Sequence, residues 1–407
     1  MINSLRTGVS GLKTHQTKMD VTGNNIANVN TIGFKRSRTA FTDVLGQRML
    51  GTSRSSRGAA VNTSFVGFGT QVSSIDRNWN QGALENTNYA TDLALNGDGF
   101  FIMNNGERDL LTRNGRFEFS ADGFLVNKAG NTVQGFNIDS DGNVDQSDLV
   151  DVEINWASSS SANATAEIVS GGNLSADAAV GDQVNISTVI YDDQGTAHTA
   201  LVTYEKTADD TWSYDVSYGG SLVPPAFADS TGSLSFETDG TMTSNTPISV
   251  TWDPEYTSSN TSFAINIGNI TQNSGNDTAI VRSQDGYQSG KLVGYNIAPS
   301  GMISLSYSNG ESENIYQLAV ATVNNPNGLD NVGDGMYSTT ASSGNMIKGR
   351  AGREIETSVV AGALEMSNVD LATEFTDMIV AQRGYQAGAR VITTSDEILQ
   401  ETVNLKR

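Results

Sequence analysis

The 407-residue sequence contains no cysteine, only two histidines and only six prolines. Without cysteine, disulfides, thiolate metal sites and cysteine nucleophiles are all excluded. The scarcity of proline beside 42 glycines excludes a proline-rich linker protein or a collagen, and it favours a protein of strands and turns. No run of apolar residues approaches the length of a membrane span, so we predict no membrane insertion.

The N-terminal segment, residues 1–20, lacks the continuous apolar core that a secretory signal peptide requires. It also has no small-residue cleavage site. If the protein leaves the cytoplasm, we therefore expect it to be exported without a cleaved signal peptide.

Basic residues are concentrated near the N-terminus, although the whole chain has a net charge of −21. Residues 1–60 hold nine basic and two acidic side chains, whereas residues 61–344 hold eight basic and 34 acidic ones. This division predicts that the basic segment contacts something acidic, and the acidic body of another copy fits better than nucleic acid, which that body would repel. The cations that we assign to inter-subunit charge pairing are Lys35, Arg36, Arg38, Arg54 and Arg57.

Both ends of the chain have the apolar spacing of amphipathic helices, with steps of three and four residues. We predict a terminal helical domain made of residues 1–26 and 367–407, whose two helices pair as a coiled-coil-like inner layer. Gly384 and Gly388 are expected to loosen the second helix locally. The apolar residues that we assign to an assembly interface are Leu5, Val9, Leu12, Met19, Ile26, Leu371, Phe375, Met378, Tyr385, Ile392, Leu399 and Val403.

These apolar faces fit packing within one chain or packing against other copies. A dozen buried anchors give about 20–35 kcal/mol of gross stabilisation, taking 1.5–3 kcal/mol for each. Ordering roughly 60 terminal residues costs about 1–2 kcal/mol for each backbone unit. An isolated helix pair is therefore marginal, which favours termini that become ordered on assembly.

The sequence between the ends has a period of two, with glycine-containing turns such as NNGE, SADG and NKAG. We predict an extended connector at 27–70, a first β domain at 71–152 and 283–362, and an outer β domain at 153–282 inserted in the first. Low-complexity stretches at 158–166 and 271–279 are interpreted as flexible connectors. The predicted fold class is mainly β with terminal α-helices, the nested β domains being inserted between the N- and C-terminal helices.

The sequence offers little for catalysis. His15 and His198 are too few and too scattered for a metal site or a catalytic base, and we expect structural roles for both. Neither a nucleophile-elbow motif nor a phosphate-binding loop motif occurs. We therefore predict no enzymatic activity, no cofactor, and no catalytic, cofactor-binding or metal-binding residue.

The acidic run at 139–148 has part of the spacing of a calcium-binding EF-hand loop, with oxygen-bearing side chains at Asp139, Asp141, Asn143 and Asp145. Position 6 of such a loop is Val144 here instead of glycine, and position 12 is Val150 instead of glutamate. The sharp turn and the bidentate ligand are both missing. A turn between two strands is therefore the favoured interpretation.

Several stretches resemble the flagellar rod and hook protein family. GNNIANVNTIGFK (Gly23–Lys35) resembles the N-terminal signature of that family, and SNVDLATEFTDMIVAQRGYQAGARVITTSDEILQETVNL (Ser367–Leu405) resembles its C-terminal helix. LNGDGFF (Leu95–Phe101) resembles a further family motif. Within the family, the length of the chain and the stretches at 191–198 and 285–311 resemble the hook members. The residues that carry the N-terminal signature are Asn24, Asn25, Asn28, Gly33 and Phe34.

The resemblance implies a structural subunit of the extracellular flagellar hook. Copies of it would polymerise helically into a curved hollow tube that acts as a universal joint and transmits torque from rod to filament. The implied partners are further copies, the distal rod, the hook cap, the hook–filament junction proteins and the flagellar type III export apparatus. The alternatives are a distal-rod protein of the same family or, in another class, a secreted β-rich adhesin or binding module.

Overall fold

The computed structural model describes residues 2–50, 64–139, 142–219, 227, 230–244, 246–251 and 262–404. In this part of the chain, two long helices enclose a sequence of β-strands. The helices and strands are α1 (Ile2–Ala27), β1 (Ser37–Asp43), β2 (Gln47–Leu50), β3 (Ser64–Val66), β4 (Thr70–Arg77), β5 (Leu84–Asn86), β6 (Leu93–Gly97), β7 (Phe100–Asn104), β8 (Asp109–Thr112), β9 (Glu118–Phe119), β10 (Leu125–Val126), β11 (Thr132–Ile138), β12 (Val144–Asp151), β13 (Ser159–Ser160), β14 (Glu167–Ser175), β15 (Gln183–Tyr191), β16 (Ala197–Ala208), β17 (Thr211–Tyr218), β18 (Thr231–Ser235), β19 (Ile248–Thr251), β20 (Ser262–Asn273), β21 (Ile280–Gln284), β22 (Gly290–Ile297), β23 (Met302–Tyr307), β24 (Ser312–Thr322), β25 (Asp330–Gly333), β26 (Met336–Ser338), β27 (Ile347–Arg350), β28 (Thr357–Ala361), β29 (Ala363–Glu365) and α2 (Leu371–Asn404). The fold class predicted from the sequence, mainly β with helices at both termini, is confirmed.

The chain divides into two compact units. The first comprises Met1–Asn155, Asn296–Ser304 and Asn314–Arg407, and the second comprises Trp156–Tyr295 and Leu305–Glu313. The outer β domain that the sequence predicts at 153–282 corresponds most nearly to the second unit, which runs further along the chain. The predicted boundaries of the nested domains otherwise stay a prediction.

The first unit contains the β-meander that the turns predict. β7 and β8 pair antiparallel around the NNGE turn, and β9, β10 and β11 follow around SADG and NKAG. Asn127 shows how the sequence makes such a turn, because its side-chain oxygen accepts from the backbone N–H of Ala129 at 3.0 Å. The buried face includes Phe101, whose ring meets that of Phe117 edge to face with centroids 5.3 Å apart.

The region predicted as an extended connector, 27–70, is more regular than expected. β1 pairs antiparallel with β4 from Ser37 opposite Arg77 to Asp43 opposite Thr70, with one bulge between Ala40 and Phe41. β2 likewise pairs with β3. The glycine, serine and arginine content hides these strands, since each is short and finds its partner well along the chain. Residues 51–63 lie outside the described residues.

The second unit packs two four-stranded sheets around one core. The first sheet has the antiparallel order β15–β16–β17–β18, and the second has the order β19–β20–β14–β21, in which β14 and β20 run parallel. Side chains alternate between core and surface along the strands, so that Ala200, Val202 and Tyr204 of β16 are buried. They join Phe263 and Ile265 of the other sheet in a single hydrophobic cluster.

The two stretches interpreted as flexible connectors are ordered parts of the second unit, so that interpretation is wrong. Ser159 pairs with Lys291 in the ladder between β13 and β22. In the other stretch, the Thr278 N–H donates to the Asn173 carbonyl at 2.8 Å, and the Asp277 carboxylate accepts from the Ser175 N–H at 2.7 Å. Their serine and asparagine content serves turns and backbone hydrogen bonds here, as it does in many short loops.

The core of the second unit can be tested with two valines in adjacent strands of one sheet. Val202 is buried, whereas Val189 is 43% exposed. We expect Val202→Ala to lower the free energy of unfolding by about 2 kcal/mol, because it removes two buried carbons and leaves a cavity. The matched Val189→Ala should cost well below 1 kcal/mol. Denaturant unfolding of both variants measures the difference, and equal losses would contradict the described core.

Candidate assembly surface at the terminal helices

The two terminal helices pack against each other in antiparallel directions. Near the start of α1, the Ser4 hydroxyl lies 3.3 Å from the Ser395 hydroxyl near the end of α2. Further along α1, the Lys18 ammonium donates to the Asp377 carboxylate near the start of α2, at 2.9 Å. Pairing of the chain termini, as the sequence predicts, is therefore present within one chain.

Small residues and one carboxylate make the face of α2 that meets α1. The buried members of α2 are Glu374, Ala381 and Ser395, and Gly388 lies at the same seven-residue spacing. A Cβ atom added at Gly388 would lie 3.3 Å from the Gly8 carbonyl oxygen and 3.3 Å from a side-chain carbon of Leu12. The helices therefore approach backbone to backbone, as a stripe of small residues permits.

Gly384 and Gly388 thus have a packing role rather than the loosening role expected from the sequence. A Cβ atom added at Gly384 would lie 2.4 Å from the imidazole of His15. That ring also meets Phe41 of β1 edge to face, with centroids 6.0 Å apart. His15 accordingly has the structural position that the sequence analysis expects for it.

The large apolar residues that the sequence assigns to the assembly interface divide into two groups. One group is half-buried: Leu5, Leu12, Met19, Ile26, Met378, Ile392 and Leu399. The other group is exposed: Val9, Leu371, Phe375, Tyr385 and Val403. None of the twelve is fully buried in one chain, so each still has surface that another copy can contact. Their role in assembly stays a prediction.

Further exposed apolar residues on α2 were not identified from the sequence. Ile379 is 57% exposed and Val380 is 53% exposed, and Val391 and Ile398 are exposed as well. A signal was present, since Ile379 follows Phe375 by four residues and Ile398 follows Val391 by seven, which are helical spacings. We use the term exposed α2 face for the exposed apolar residues of α2 on all sides of the helix, namely Leu371, Phe375, Ile379, Val380, Tyr385, Val391, Ile398 and Val403.

The family-signature residues hold the end of α1 against the β part of the first unit. Asn25 is buried, and its side chain both donates to the Ser37 carbonyl at 2.7 Å and accepts from the Ser37 N–H at 3.0 Å. Asn28 donates to the carbonyl of Asn24 at 2.9 Å, and its side-chain oxygen accepts from the Thr31 hydroxyl at 3.0 Å. The Asn25 bonds thus join α1 to the first residue of β1, and the Asn28 bonds connect the last turn of α1 to the turn that follows it.

Gly33 and Phe34 complete the turn after α1. Gly33 has φ = +68°, and a Cβ atom there would lie 2.9 Å from the backbone of Arg113 and Asn114. Its N–H donates to the Glu365 carbonyl at 2.8 Å, and the Phe34 N–H donates to the Thr31 carbonyl at 3.2 Å. Only glycine fits this left-handed conformation at so close an approach.

Lys35 lies in a buried ion cluster immediately after this turn. Its ammonium donates to the Glu365 carboxylate at 2.6 Å and to the Asn80 carbonyl at 3.0 Å. The other oxygen of Glu365 accepts from the Arg113 guanidinium at 3.2 Å. One buried carboxylate therefore serves two buried cations. Burial lowers the pKa of both Lys35 and Arg113, and the attraction of Glu365 opposes that shift without cancelling it.

Arg36 joins the N-terminal segment to the start of α2. Its guanidinium pairs with the Glu374 carboxylate and with Asp377 at 3.3 Å, while its backbone N–H donates to the Asn368 side chain at 2.7 Å. Glu374 also accepts from Asn25 at 3.0 Å. The carboxylate that begins the inner face of α2 is thus satisfied by the end of α1 and by the residues that follow it.

These contacts revise the prediction of inter-subunit charge pairing. Lys35 and Arg36 pair within their own chain, because the C-terminal segment brings Glu365, Glu374 and Asp377 to them. Lys35 is also too deeply buried to reach a neighbour. Arg38 is exposed and forms no ion pair among the described residues, so the prediction stands for it. Arg54 and Arg57 lie outside the described residues.

The described part of the chain holds no cluster of three or more His, Asp or Glu side chains that could bind a metal ion. His198 instead pairs with Asp192 at 3.0 Å beside the turn between β15 and β16. Among the described helices, none is long and apolar enough to cross a membrane.

Comparisons with known proteins agree with this arrangement. The family models "Flagella basal body rod protein" and "Flagellar basal body rod FlgEFG protein C-terminal" match residues 5–35 and 360–405. Between them, "Flagellar hook protein FlgE/F/G D1 domain" matches 94–175 and "Flagellar basal body protein FlaE D2 domain" matches 173–287. The matched ranges follow the terminal helices and the β-rich middle of the chain.

Full-length relatives are flagellar hook proteins. The chain is 36% identical to the FlgE hook protein of Borreliella burgdorferi and 35% identical to that of Treponema pallidum, over 100% of both chains in each case. It is 31% identical to the FlgE hook protein of Salmonella typhimurium, over 99% of this chain and 100% of that one. The crystal structure of Helicobacter pylori flagellar hook protein FlgE2 shares the fold, with a TM-score of 0.51 and 13% identity over 65% of this chain and 96% of that one.

A pair of terminal helices enclosing β-rich units, with apolar residues left exposed, defines a subunit built for assembly. The chain belongs to the flagellar hook protein FlgE family. It is a structural subunit of the flagellar hook, and neither a distal-rod protein nor a secreted binding module is favoured.

The buried ion cluster can be tested by removing its single carboxylate. We expect Glu365→Gln to destabilise the first unit by about 3–5 kcal/mol, because two buried cations lose the carboxylate that forms ion pairs with both of them. Glu354→Gln is the matched control. Glu354 pairs with Arg350 at the surface, where a pair is worth at most about 1 kcal/mol. Denaturant unfolding compares the two, and a Glu365→Gln loss no larger than the control would refute the cluster's role.

The same variant should show a defined pH dependence. The ordinary pKa of a lysine is 10.5, and that of Lys35 is lower in the folded chain. Removing Glu365 lowers the folded pKa further, so the unfolded chain binds more protons over a wider pH window below 10.5. Stability therefore rises with pH through that window, and the deficit of Glu365→Gln relative to the wild type should shrink toward its upper end. A deficit that grows with pH would contradict this.

The close helix contact can be tested by filling it. Gly388→Leu places a large side chain against Gly8 and Leu12, whereas nothing lies within 4 Å of a Cβ atom at Gly11. Leucine favours helix over glycine by about 1 kcal/mol. We expect Gly11→Leu to raise the helical circular-dichroism signal of the soluble chain and Gly388→Leu to lower it, since the wedge separates the helices. An equal rise in both variants would contradict the contact.

Proposed function

We propose that the chain polymerises helically through its terminal helices into a curved, hollow hook that transmits torque from rod to filament as a universal joint. The observation that carries this proposal is the exposed α2 face. Large apolar side chains that are exposed in this number on one helix are unfavourable in water, and burying them against neighbouring copies would stabilise the polymer.

Energetic considerations support assembly as the event that orders the termini. Within one chain, α1 and α2 meet mainly through small and polar residues, which bury little apolar area. Phe375, Ile379 and Val403 remain more than half exposed and contribute little until another surface covers them. Each copy in a helical polymer has several neighbours, so apolar side chains on several sides of the helices become buried. A lone helix pair cannot bury them.

The bending of such a tube would take place between copies. Each β unit has a continuous buried core and ordered turns, and the stretches expected to act as flexible connectors are ordered. We therefore place the flexibility at polar contacts between neighbouring copies, which can exchange at little cost because exposed polar and charged pairs are individually weak.

The partners and the route of export are part of the same proposal. The distal rod, the hook cap and the hook–filament junction proteins would contact the two ends of the polymer, and the flagellar type III apparatus would export the chain without a cleaved signal peptide. The chain would act mechanically and not as an enzyme.

The proposal can be tested by adding one carboxylate to the exposed α2 face. We expect Ile379→Glu to raise the protein concentration needed for polymerisation by at least about tenfold, because a buried charge without a partner opposes the contact. Gln386→Glu adds the same charge at an exposed polar position of α2 and should have a small effect. Sedimentation measures the polymer fraction.

Electron microscopy of the wild-type polymer decides its form. The proposal requires hollow, curved tubes. Straight rods would instead favour the distal-rod alternative. A chain that stays monomeric under all conditions would refute polymerisation. Polymerisation of both variants at the wild-type concentration would refute assembly through α2.

A further inference from the structure

A second surface of the first unit has a charge opposite to that of the chain as a whole. A cleft of about 730 Å³ lies beside the end of α1 and the turn that follows it. Its charged lining residues are four cations and one carboxylate, namely Lys35, Arg77, Arg116, Lys128 and Asp334. The chain has 45 acidic and 24 basic residues, so a local excess of positive charge in this cleft requires a physical explanation.

Three of these cations are available to a ligand. The Lys35 ammonium is bound by Glu365 and backbone carbonyls, but Arg77, Arg116 and Lys128 form no ion pair within the described part of the chain. Arg116 and Lys128 are also exposed. We call the surface around Arg77, Arg116 and Lys128 the basic cleft.

One wall of the basic cleft is rigid. The Arg77 guanidinium lies 5.1 Å from the ring centre of Tyr337, which is buried. The ring of Tyr337 meets that of Trp79 edge to face at 5.2 Å, and Trp79 meets Phe100 in the same way at 5.3 Å. An aromatic stack thus fixes the position of this cation, so that little side-chain entropy is lost when an anion binds.

No ion pair among the described residues supplies an anion to Arg77, Arg116 or Lys128. The segment at 51–63, which lies outside the described residues, has two arginines and no acidic residue, so its charge has the same sign as the cleft. Asp334 is the single carboxylate in the lining. The charge of the basic cleft therefore suits an acidic partner from outside the chain.

The acidic hairpin of the first unit, defined here as residues 142–153, has the complementary charge. It contains four acidic residues and no basic one. Asp145, Asp148 and Asp151 on β12 are exposed and have no ion pair among the described residues. Ser147 donates to Asp145 and lowers the pKa of that carboxyl, which keeps it charged in mildly acidic solution.

The acidic hairpin and the basic cleft are separate within one chain. No hairpin residue lines the cleft, and β12 instead lies beside β11, with Gln146 near Glu354. Two complementary surfaces at different places on one molecule form a head-to-tail contact between copies. Head-to-tail contacts give a closed ring only if the rotation between successive copies closes the circle. Otherwise they generate a helical polymer.

We propose that the basic cleft of one copy binds the acidic hairpin of a second copy, forming an electrostatic contact that repeats along the polymer. This inference rests on the proposed assembly of the chain, and it adds a contact between β parts to the one between terminal helices. Because the pairs are exposed, salt should weaken this contact and leave the apolar helix contact in place.

Cysteine cross-linking tests the contact directly, because the natural chain contains no cysteine. The full-length double variant Lys128→Cys/Asp148→Cys is polymerised, oxidised and analysed by denaturing electrophoresis. We expect a ladder of disulfide-linked chains from polymers and none from dilute monomers. The control is Arg108→Cys/Asp148→Cys, since Arg108 is an exposed cation outside the cleft. Normal polymers with no more cross-linking than the control overturn the proposal.

Charge reversal provides an independent readout. Arg116→Glu/Lys128→Glu should raise the concentration needed for polymerisation by up to about tenfold, as two exposed pairs allow. Adding Asp145→Lys/Asp148→Lys to the same chain should restore it, and failure of this rescue in a folded chain overturns the proposal. A wild-type chain that forms no polymer refutes the proposed function, whereas polymers without cross-link or rescue refute only the contact described here.

Discussion

The terminal helices leave their large apolar residues only half-buried or exposed within one chain, and much of the molecule's behaviour follows from that constraint. α1 and α2 approach through Gly8 and Gly388, and the side chain of Leu12 packs beside that contact. Close backbone approach fixes the pairing of the helices, but it turns Phe375 and Ile379 outward. A helix pair of this kind is an incomplete core, and we propose that other copies of the chain complete it.

The junction between the helices and the β part of the first unit gives this incomplete core a defined position. Glu365 holds Lys35 and Arg113 in a buried cluster, and Glu374 is bound by Asn25 and Arg36. Each carboxylate comes from the C-terminal end of the chain and each partner from an earlier part. These pairs hold the end of α1 and the start of α2 at the first unit, so that the remainder of the helix pair, which we propose assembly to order, begins at a fixed place.

The sequence was most informative where structure depends on local spacing. The helical ends and the turn at Asn127 follow from the spacing of a few neighbouring residues, and both are present. The sequence was less informative where the structure depends on contacts between residues that are far apart in the sequence. Lys35 looks like a surface cation until Glu365, 330 residues away, is placed beside it.

Apolar periodicity also misses contacts made by small residues. Glu374, Ala381, Gly388 and Ser395 repeat every seven residues, but none is a large apolar residue, so the inner face of α2 has no hydrophobic signal. The more apolar stripe, which includes Phe375, faces outward instead. A sequence that reserves its large apolar residues for a neighbour has the same periodicity as one that buries them within the chain.

Backbone hydrogen exchange of α2, compared between soluble chain and polymer, tests this account most directly. If the helix pair is completed only by other copies, the amides around Ile379 and Val391 should exchange rapidly in the soluble chain and become strongly protected in the polymer, while the buried strands exchange slowly in both. Strong protection of α2 already present in the soluble chain, with no further gain on polymerisation, would contradict it.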